Sequence, residues 1–328
     1  MASQAATETQ LSKEYLSPSR LAWRSFLRNR TAVAGMLACA VFFLVAVLGL
    51  VLTRGDNPVL DPRQVRLADK FRPPLSSPNR EAIPAEALPR LGMYLLGTDD
   101  LGRDVFARML EGAFVSLSVG FVAVGIAVAI GIILGGIAGY YGRGRIGVGA
   151  LRLMTVDTLI TGLIDVFLSF PSFFLILTVV AVLKPSIWNI MIVIGLTSWT
   201  GTARFVRAEI LALREQDFVQ AAHALGVSGP RVILRHLMPN ALAPVLVSAT
   251  LGVAGAILTE SALSFLGFGV PPPDATWGNI LSDGKNFLFD ASWLTIIPGT
   301  AILIVVLAFY IFGEGLREAF NPKLRQQV

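Results

Sequence analysis

The residues able to do chemistry are few and scattered. The chain holds two histidines, His223 and His236, and one cysteine, Cys39. Neither histidine has a cysteine or carboxylate at ligand spacing, so an enzyme built on them is not supported. Cys39 stands inside a long apolar run, and as the only cysteine it excludes an intrachain disulfide. Asp99, Asp100 and Asp104 form the densest acidic group. Thr98 and Asp99 beside them suit a helix N-cap, so solvated capping explains the group better than a cation site. Gly142–Gly147 reads GRGRIG, the letters of a dinucleotide fingerprint, yet no strand precedes it and arginines fill its variable positions. A phosphate-binding G-x-x-x-x-G-K-[ST] loop is absent, so ATP used by this protein must be bound by another chain. Three carboxylates fall in apolar blocks: Asp157, Asp165 and Glu260. Of these, Asp165 and Glu260 are candidates for a transport pathway or gate, against structural roles near a water-reachable helix end and in a buried hydrogen bond.

The elements that carry these groups belong in a membrane. The 328 residues are 54% hydrophobic and only 15% charged, far too apolar for a soluble domain. Six apolar blocks reach spanning length, about 20 residues: 32–53, 113–139, 158–183, 187–203, 241–266 and 293–313. The net charge of +5 comes from arginines and lysines beside block ends, with no aromatic-interleaved stripe for nucleic acid. The tail carries Lys13, Arg20, Arg24, Arg28 and Arg30. Later loops carry Arg143, Arg145, Arg152, Arg204, Arg207, Arg214, Arg231 and Arg235, and the C-terminus Arg317, Lys323 and Arg325. The short loops between hold Lys184 and Lys285. By the positive-inside rule both termini and the loop 204–240 face the cytoplasm. The first block follows a hydrophilic lead of about 30 residues and exceeds a signal-peptide core, so it reads as an uncleaved span.

The organisation expected is a cytoplasmic tail over 1–31 with an interfacial helix around Trp23, Phe26 and Leu27, then a first span at 32–53. An external segment, 54–112, follows; its prolines, Pro58 to Pro89, disfavour regular structure. A five-helix core, 113–313, contains the loop 204–240, and a cytoplasmic tail, 314–328, ends the chain. Gly131, Gly135 and Gly139 form a small-residue ridge for close helix packing. Ser248, Ala249, Thr250, Gly252, Ala254, Gly255 and Ala256 mark a helix that packs closely or lines a passage.

The loop is the most informative stretch. Phe218, Ala221, Ala222 and Leu225 recur at helical spacing. Gly226 suits a left-handed helix end. Ser228 can cap a second helix with Pro230 in its first turn, and Pro239 closes it. Gln220-Ala221-Ala222, Gly226 and Pro239 resemble the EAA loop of ABC importer permeases, with Gln220 for Glu, His236 for Ile and Met238 for Leu. LGTDDLGRDVFARMLEGAFVSLSVG (Leu96–Gly120), DVFLSFPSFFL (Asp165–Leu175) and TESALSFLGFGVPPPDATWGNIL (Thr259–Leu281) resemble the corresponding segments of bacterial dipeptide and oligopeptide permeases of the C type. At the second of these the family commonly has an arginine where Gly162 stands, which puts an intrahelical ion pair at Asp165 in doubt.

That resemblance implies an all-α membrane protein of six transmembrane helices with the type I ABC importer permease fold. It implies a pore-forming subunit without its own ATPase site, in the bacterial inner membrane. Its partners would be a homologous second permease, two ATPase subunits carrying ATP and Mg, an external substrate-binding protein and membrane lipid, and no nucleic acid. No cofactor or metal is implied in this chain. Phe218, Gln220, Ala221, Ala222, Leu225, Gly226 and Pro239 would form the coupling element docked on an ATPase. Arg204, Arg207, Arg231 and Arg235 could meet its acidic groups or lipid phosphates. The cargo would be dipeptides or oligopeptides. Nickel or another small solute, or ion-coupled secondary transport through Asp165 and Glu260, are the alternatives.

Overall fold

The computed structural model describes residues 18–142, 145–146 and 154–320. Lys13, Arg143, Arg152, Lys323, Arg325 and half of the GRGRIG run lie outside the described residues. The chain opens with α1 (Pro18–Arg28), whose Ala22 and Phe26 are buried while Trp23 and Leu27 stay half exposed. Asn29 then caps α2 (Arg30–Thr53), accepting from the Ala32 N–H at 3.1 Å. Because α2 is apolar all round, it leaves Leu37, Val41, Phe43 and Leu44 on its outer surface, as a lipid-facing span must.

The scaffold is α3 (Val105–Tyr141) against α6 (Ile187–Arg214), the most extensively packed helix pair. Their contact runs along the glycine ridge. A Cβ at Gly135 would stand 2.5 Å from the Ala203 carbonyl oxygen and 2.9 Å from the Val206 side chain. At Gly139 it would meet Ile210 at 2.8 Å, and at Gly131 the Thr202 side chain at 2.6 Å. Only glycine lets the two backbones come this close.

The expected count of six spanning helices is not reproduced. Among the described residues four helices are long and apolar enough to cross a membrane: α2, α3, α9 (Met238–Phe265, from Pro244 onward) and α11 (Trp293–Phe320). The block 158–183 is broken into α4 (Val156–Leu168) and α5 (Ser172–Val182), bent by 80°, and gives a fifth span if taken as one. Pro171 is the cause: it disfavours helical backbone at Phe170 and offers no N–H of its own. The block 187–203 does form helix, but Asn189, Thr197, Ser198, Thr200 and Thr202 dilute its apolar character. A two-residue ladder, β1 (Arg145–Ile146) with β2 (Met154–Thr155), precedes α4.

The segment between α2 and α3 is irregular apart from short 3-10 turns at Leu67–Asp69 and Ala85–Ala87. Buried charge holds it. Asp69 accepts from the Tyr94 hydroxyl at 2.7 Å, the Asn79 N–H at 3.1 Å and Arg72 Nε at 3.1 Å. Asp99 pairs with Arg103 at 2.7 Å and Arg108 at 2.5 Å, and Arg108 reaches Asp283 of α10 (Trp277–Gly284) at 3.1 Å. Trp293 Nε1 donates to the Thr98 carbonyl at 3.1 Å.

Of the acidic group only Asp100 keeps solvent exposure, and Thr98 and Asp99 are therefore not caps. Both side chains are fully buried. The N-cap of α3 is Asp104, which accepts from the Phe106 N–H at 2.9 Å. The partners that decide this, Arg108, Asp283 and Trp293, are brought in by tertiary packing. Burial pushes the Asp104 carboxyl above its ordinary range, with hydrogen bonds from Phe106 and Ala107 opposing. Asp100 is raised too, by burial and then by Asp99 and Asp283.

Two outcomes follow from this packing. Gly135→Val should force α3 and α6 apart and destabilise the protein by about 1–3 kcal/mol, as overpacking does, measured by thermal unfolding in detergent. Because Asp104 is more readily protonated folded than unfolded, its burial cost is present at neutral pH and fades as pH falls through its raised pKa. Asp104→Asn, which keeps the cap, should therefore gain most over the wild type near neutral pH, with the gap narrowing in acid.

Candidate functional site

The loop between α6 and α9 begins with α7 (Asp217–Ala224). The Gln216 carbonyl receives the Val219 and Gln220 N–H groups at 3.0 and 3.1 Å. The helix ends in a Schellman arrangement: Val227 N–H donates to the Ala222 carbonyl at 3.1 Å and Gly226 N–H to His223 at 2.9 Å. Gly226 has φ +75°, the left-handed backbone for which glycine is suited. The short helix α8 (Gly229–Val232) follows, with Pro230 in its first turn as expected.

Two local expectations need correction. The Ser228 side chain makes no capping bond; its backbone carbonyl receives Arg231 and Val232, each at 3.0 Å. Nor does Pro239 close the second helix. A π turn over Ile233–Leu237 carries α8 directly into α9, with Met238 N–H bonded to the Ile233 carbonyl and Pro239 in the first turn of α9. An extra residue per turn accommodates the proline without breaking the helix.

The faces of α7 also sort differently from the sequence spacing. The inward residues are Val219 and Ala222, at 0% and 5% exposure, packed with Val206 and Ile210 of α6 and with Val232, Leu237, Ala241 and Val245. Phe218, Gln220, Ala221 and Leu225 point outward, Leu225 at 83% exposure. Ala222 thus belongs to the core, while Phe218, Ala221 and Leu225 leave an apolar strip uncovered. Val219 was the missed residue, since the spacing that selects Phe218 also fits a face rotated by one position.

Three contacts tie this loop to α3. The Tyr140 ring stacks on His223, centroids 6.1 Å apart and planes at 24°, with the hydroxyl 3.4 Å from Nε2. The backbone of Gly229 lies against Tyr140 and Tyr141. Arg214, from the end of α6, donates to the Gly139 and Tyr140 carbonyls at 3.3 Å each, satisfying the last acceptors of α3.

Of the loop arginines, Arg204, Arg231 and Arg235 are exposed. Arg207 is not available to another chain as expected. Its guanidinium grips both carboxylate oxygens of Asp157 at 2.5 and 2.6 Å, so α4 is pinned to α6. Asp165 is exposed near the end of α4, and no ion pair reaches it among the described residues. Glu260 is fully buried in α9, one oxygen accepting from Ser264 Oγ at 2.7 Å and the other without a hydrogen bond.

Neither carboxylate borders the groove enclosed by three of the helices. That groove, about 490 Å³, lies between α3, α6 and α9 and is lined by Ser198, Thr202, Ser248 and Thr259 with Phe205, glycines and small apolar side chains. The small-residue run of α9 signalled it in the sequence. Ser198 and Thr202, one helical turn apart, were not singled out. Among the described residues no group of three His, Cys, Asp or Glu side chains could share a metal ion.

The two faces of α7 have separable consequences. Val219→Asp buries an unpaired charge and should cost several kcal/mol, seen as a lowered melting temperature in detergent. Leu225→Ser should change stability by no more than about 0.5 kcal/mol.

Residues 131–326 match the family of binding-protein-dependent transport system inner membrane components. Residues 17–74 match the N-terminal transmembrane domain of oligopeptide transport permease C. A dipeptide transport system permease of Alkalihalophilus pseudofirmus is 38% identical over 94% of this chain and 91% of its own. That of Haemophilus influenzae is 35% identical over 98% and 100%, and the oligopeptide permease of Bacillus subtilis 33% over 99% and 96%. A chain from an inward-facing structure of a methionine ABC transporter aligns with a TM-score of 0.48 at 19% identity, over 66% of this chain and 98% of that one. With the family pattern spanning the α3-to-α11 core and peptide permeases matching nearly end to end, the chain belongs to the binding-protein-dependent transport permeases, type I in fold, in the branch of dipeptide and oligopeptide ABC-transport permeases.

Proposed function

We propose that this chain forms half of the translocation pathway of an ATP-driven importer of dipeptides or oligopeptides. A related second permease supplies the other half, two ATPase subunits bind ATP and Mg and hydrolyse the nucleotide, and an external binding protein delivers cargo. The chain itself catalyses nothing and holds no cofactor. It lies in the bacterial inner membrane with both tails cytoplasmic. Support for a shared side comes from Asn29, whose Nδ2 donates to Glu318 at 2.7 Å, so the start of α2 and the end of α11 emerge together. The segment 54–104 then lies outside the cell.

The observation that carries the reading is a rigid helix with an uncovered apolar strip. Val219 and Ala222 lock α7 to the core, Gly226 and Pro239 fix its exit, and Phe218, Gln220, Ala221 and Leu225 are free to seat in a groove of an ATPase. Closure of the ATPases on ATP then pushes the loop, and alternating access follows from its attachment to the groove helices. The hydroxyl-lined groove is our candidate wall of the pathway, in place of Asp165 and Glu260; Glu260 has a packing role through Ser264. The groove carries no carboxylate, imidazole or thiolate among its described lining, which suits peptide backbone and disfavours nickel, whose ligands are such groups.

Affinity purification from the native membrane tests the reading. Recovery of a second permease and two ATPases, with peptide-stimulated hydrolysis, is the expected result; a chain recovered alone with ion-driven uptake refutes it. Leu225→Asp should cut ATPase recovery and peptide uptake at least tenfold without altering the chain's own stability. Gly226→Pro should abolish uptake while insertion persists.

A further inference from the structure

The loop is continuous with α6 through Arg214–Gln216 and with α9 through the π turn, so any displacement of it passes to those two helices along the backbone. The third wall of the groove, α3, has no such link. It contributes Ala123, Val124, Ala127 and Val128 to the lining, and it ends at Tyr141. The glycine ridge packs it along α6, and its end meets the loop directly.

The geometry points to Tyr140 as the positioning residue that transmits loop movement to α3. The inference rests on the reading of the loop as the ATPase-docking element. Tyr140 stands between the two halves of the loop: one ring face is stacked on His223 of α7, and its edge is against Gly229 at the start of α8. A Cβ on Gly229 would come within 3.0 Å of Tyr140 Cε1 and 3.1 Å of its hydroxyl, so the ring is held from two sides. The residue is also anchored at its own backbone, because Arg214 donates to the Gly139 and Tyr140 carbonyls. A push on α7 therefore meets the end of α3 through a stiff aromatic ring with two torsions.

From Tyr140 the path to the groove is a continuous helix. Val124 lies 16 positions earlier, roughly 24 Å along the axis at 1.5 Å per residue. The glycine ridge holds α3 to α6 over much of that distance, so displacement at Tyr140 moves both walls together. The test reads coupling directly.

The test uses the whole complex in proteoliposomes and measures peptide taken up per ATP hydrolysed. Tyr140→Ala should leave assembly and hydrolysis in place and lower that ratio at least tenfold. Tyr140→Phe keeps the stacked ring and should stay within about twofold of the wild type. In a double-mutant cycle the Tyr140→Ala/His223→Ala protein should be no worse than Tyr140→Ala alone, the signature of a shared contact. A wild-type ratio in Tyr140→Ala, or effects of the two substitutions that simply multiply, overturns the inference. Should Tyr140→Ala fail to assemble, Gly229→Ala drives a methyl against both tyrosine rings and must lower the ratio; an unchanged ratio there also overturns it. Leu225→Asp separates this from the parent reading. If that variant imports peptide normally, the loop does not dock an ATPase and the role of Tyr140 falls with it. If Leu225→Asp loses uptake while Tyr140→Ala keeps the wild-type ratio, only the Tyr140 inference fails.

Discussion

The rest of the structure depends on how closely α3 and α6 approach. Lipid is as apolar as a leucine side chain, so two spans gain little by hiding hydrophobic surface from it. They associate through dispersion contacts, which fall off steeply with separation. Gly131, Gly135 and Gly139 remove the side chains that would hold the axes apart, and Thr202, Ala203, Val206 and Ile210 fill the space. From this contact the other features take their positions. It sets the near edge of the groove, brings Arg207 within reach of Asp157, and lets Arg214 turn back onto the carbonyls at the end of α3.

Charge is distributed to suit the same constraint. An unpaired buried charge is costly, and pairs survive burial only when their hydrogen bonds are met. Asp99 meets two arginines and two backbone N–H groups, from Leu101 and Arg103, and so ties the segment between α2 and α3 to α3 and, through Arg108, to α10. Glu111 of α3 accepts from the Ala275 N–H at 3.1 Å and fastens the loop before α10 in the same way. On the other side of the bundle one bidentate pair, Arg207 with Asp157, fixes the start of α4. Both ends of the bundle are thus closed by polar networks, while the middle is held by packing.

Local chemistry was legible in the sequence where one residue type has one physical use. Gly226 could be read as a left-handed helix end, Pro230 as a first-turn residue, and the three glycines as a ridge, because each follows from backbone sterics alone. The outer segment's irregularity followed from its prolines. What was not legible depended on partners distant in sequence. Asp99 looked like a solvated cap because Asp283, which holds Arg108 from the far side, cannot be placed near it without the fold. Arg207 looked free until α4 folded back onto α6. Of the four residues expected on the strip of α7 only Ala222 lies inward, because an eight-residue helix gives the periodicity too little length to fix the strip's edge. Pro239 looked like a stop because proline usually is one; a π turn is the exception that tertiary packing selects. Three of the seven coupling-loop residues, Ala222, Gly226 and Pro239, shape the loop, whereas Phe218, Gln220, Ala221 and Leu225 present it.

That division has a mechanical meaning. Under the proposed docking on an ATPase, α7 transmits force only if it cannot yield, and it is too short to be stiff by its own hydrogen bonds. Its rigidity comes from Val219 and Ala222 in the core, from the two closing bonds at Gly226, and from continuity into α9 through the π turn. A proline stop at 239 would have placed a pivot between the loop and α9, where movement could be lost. With helix on both sides of Pro239, α9 is a direct extension of the loop, as α6 is at the other end. The loop is then less a connection between two spans than the point where both can be moved at once. The groove between them widens or narrows as a unit provided that α3 follows, and its end is the part of that span held against the loop.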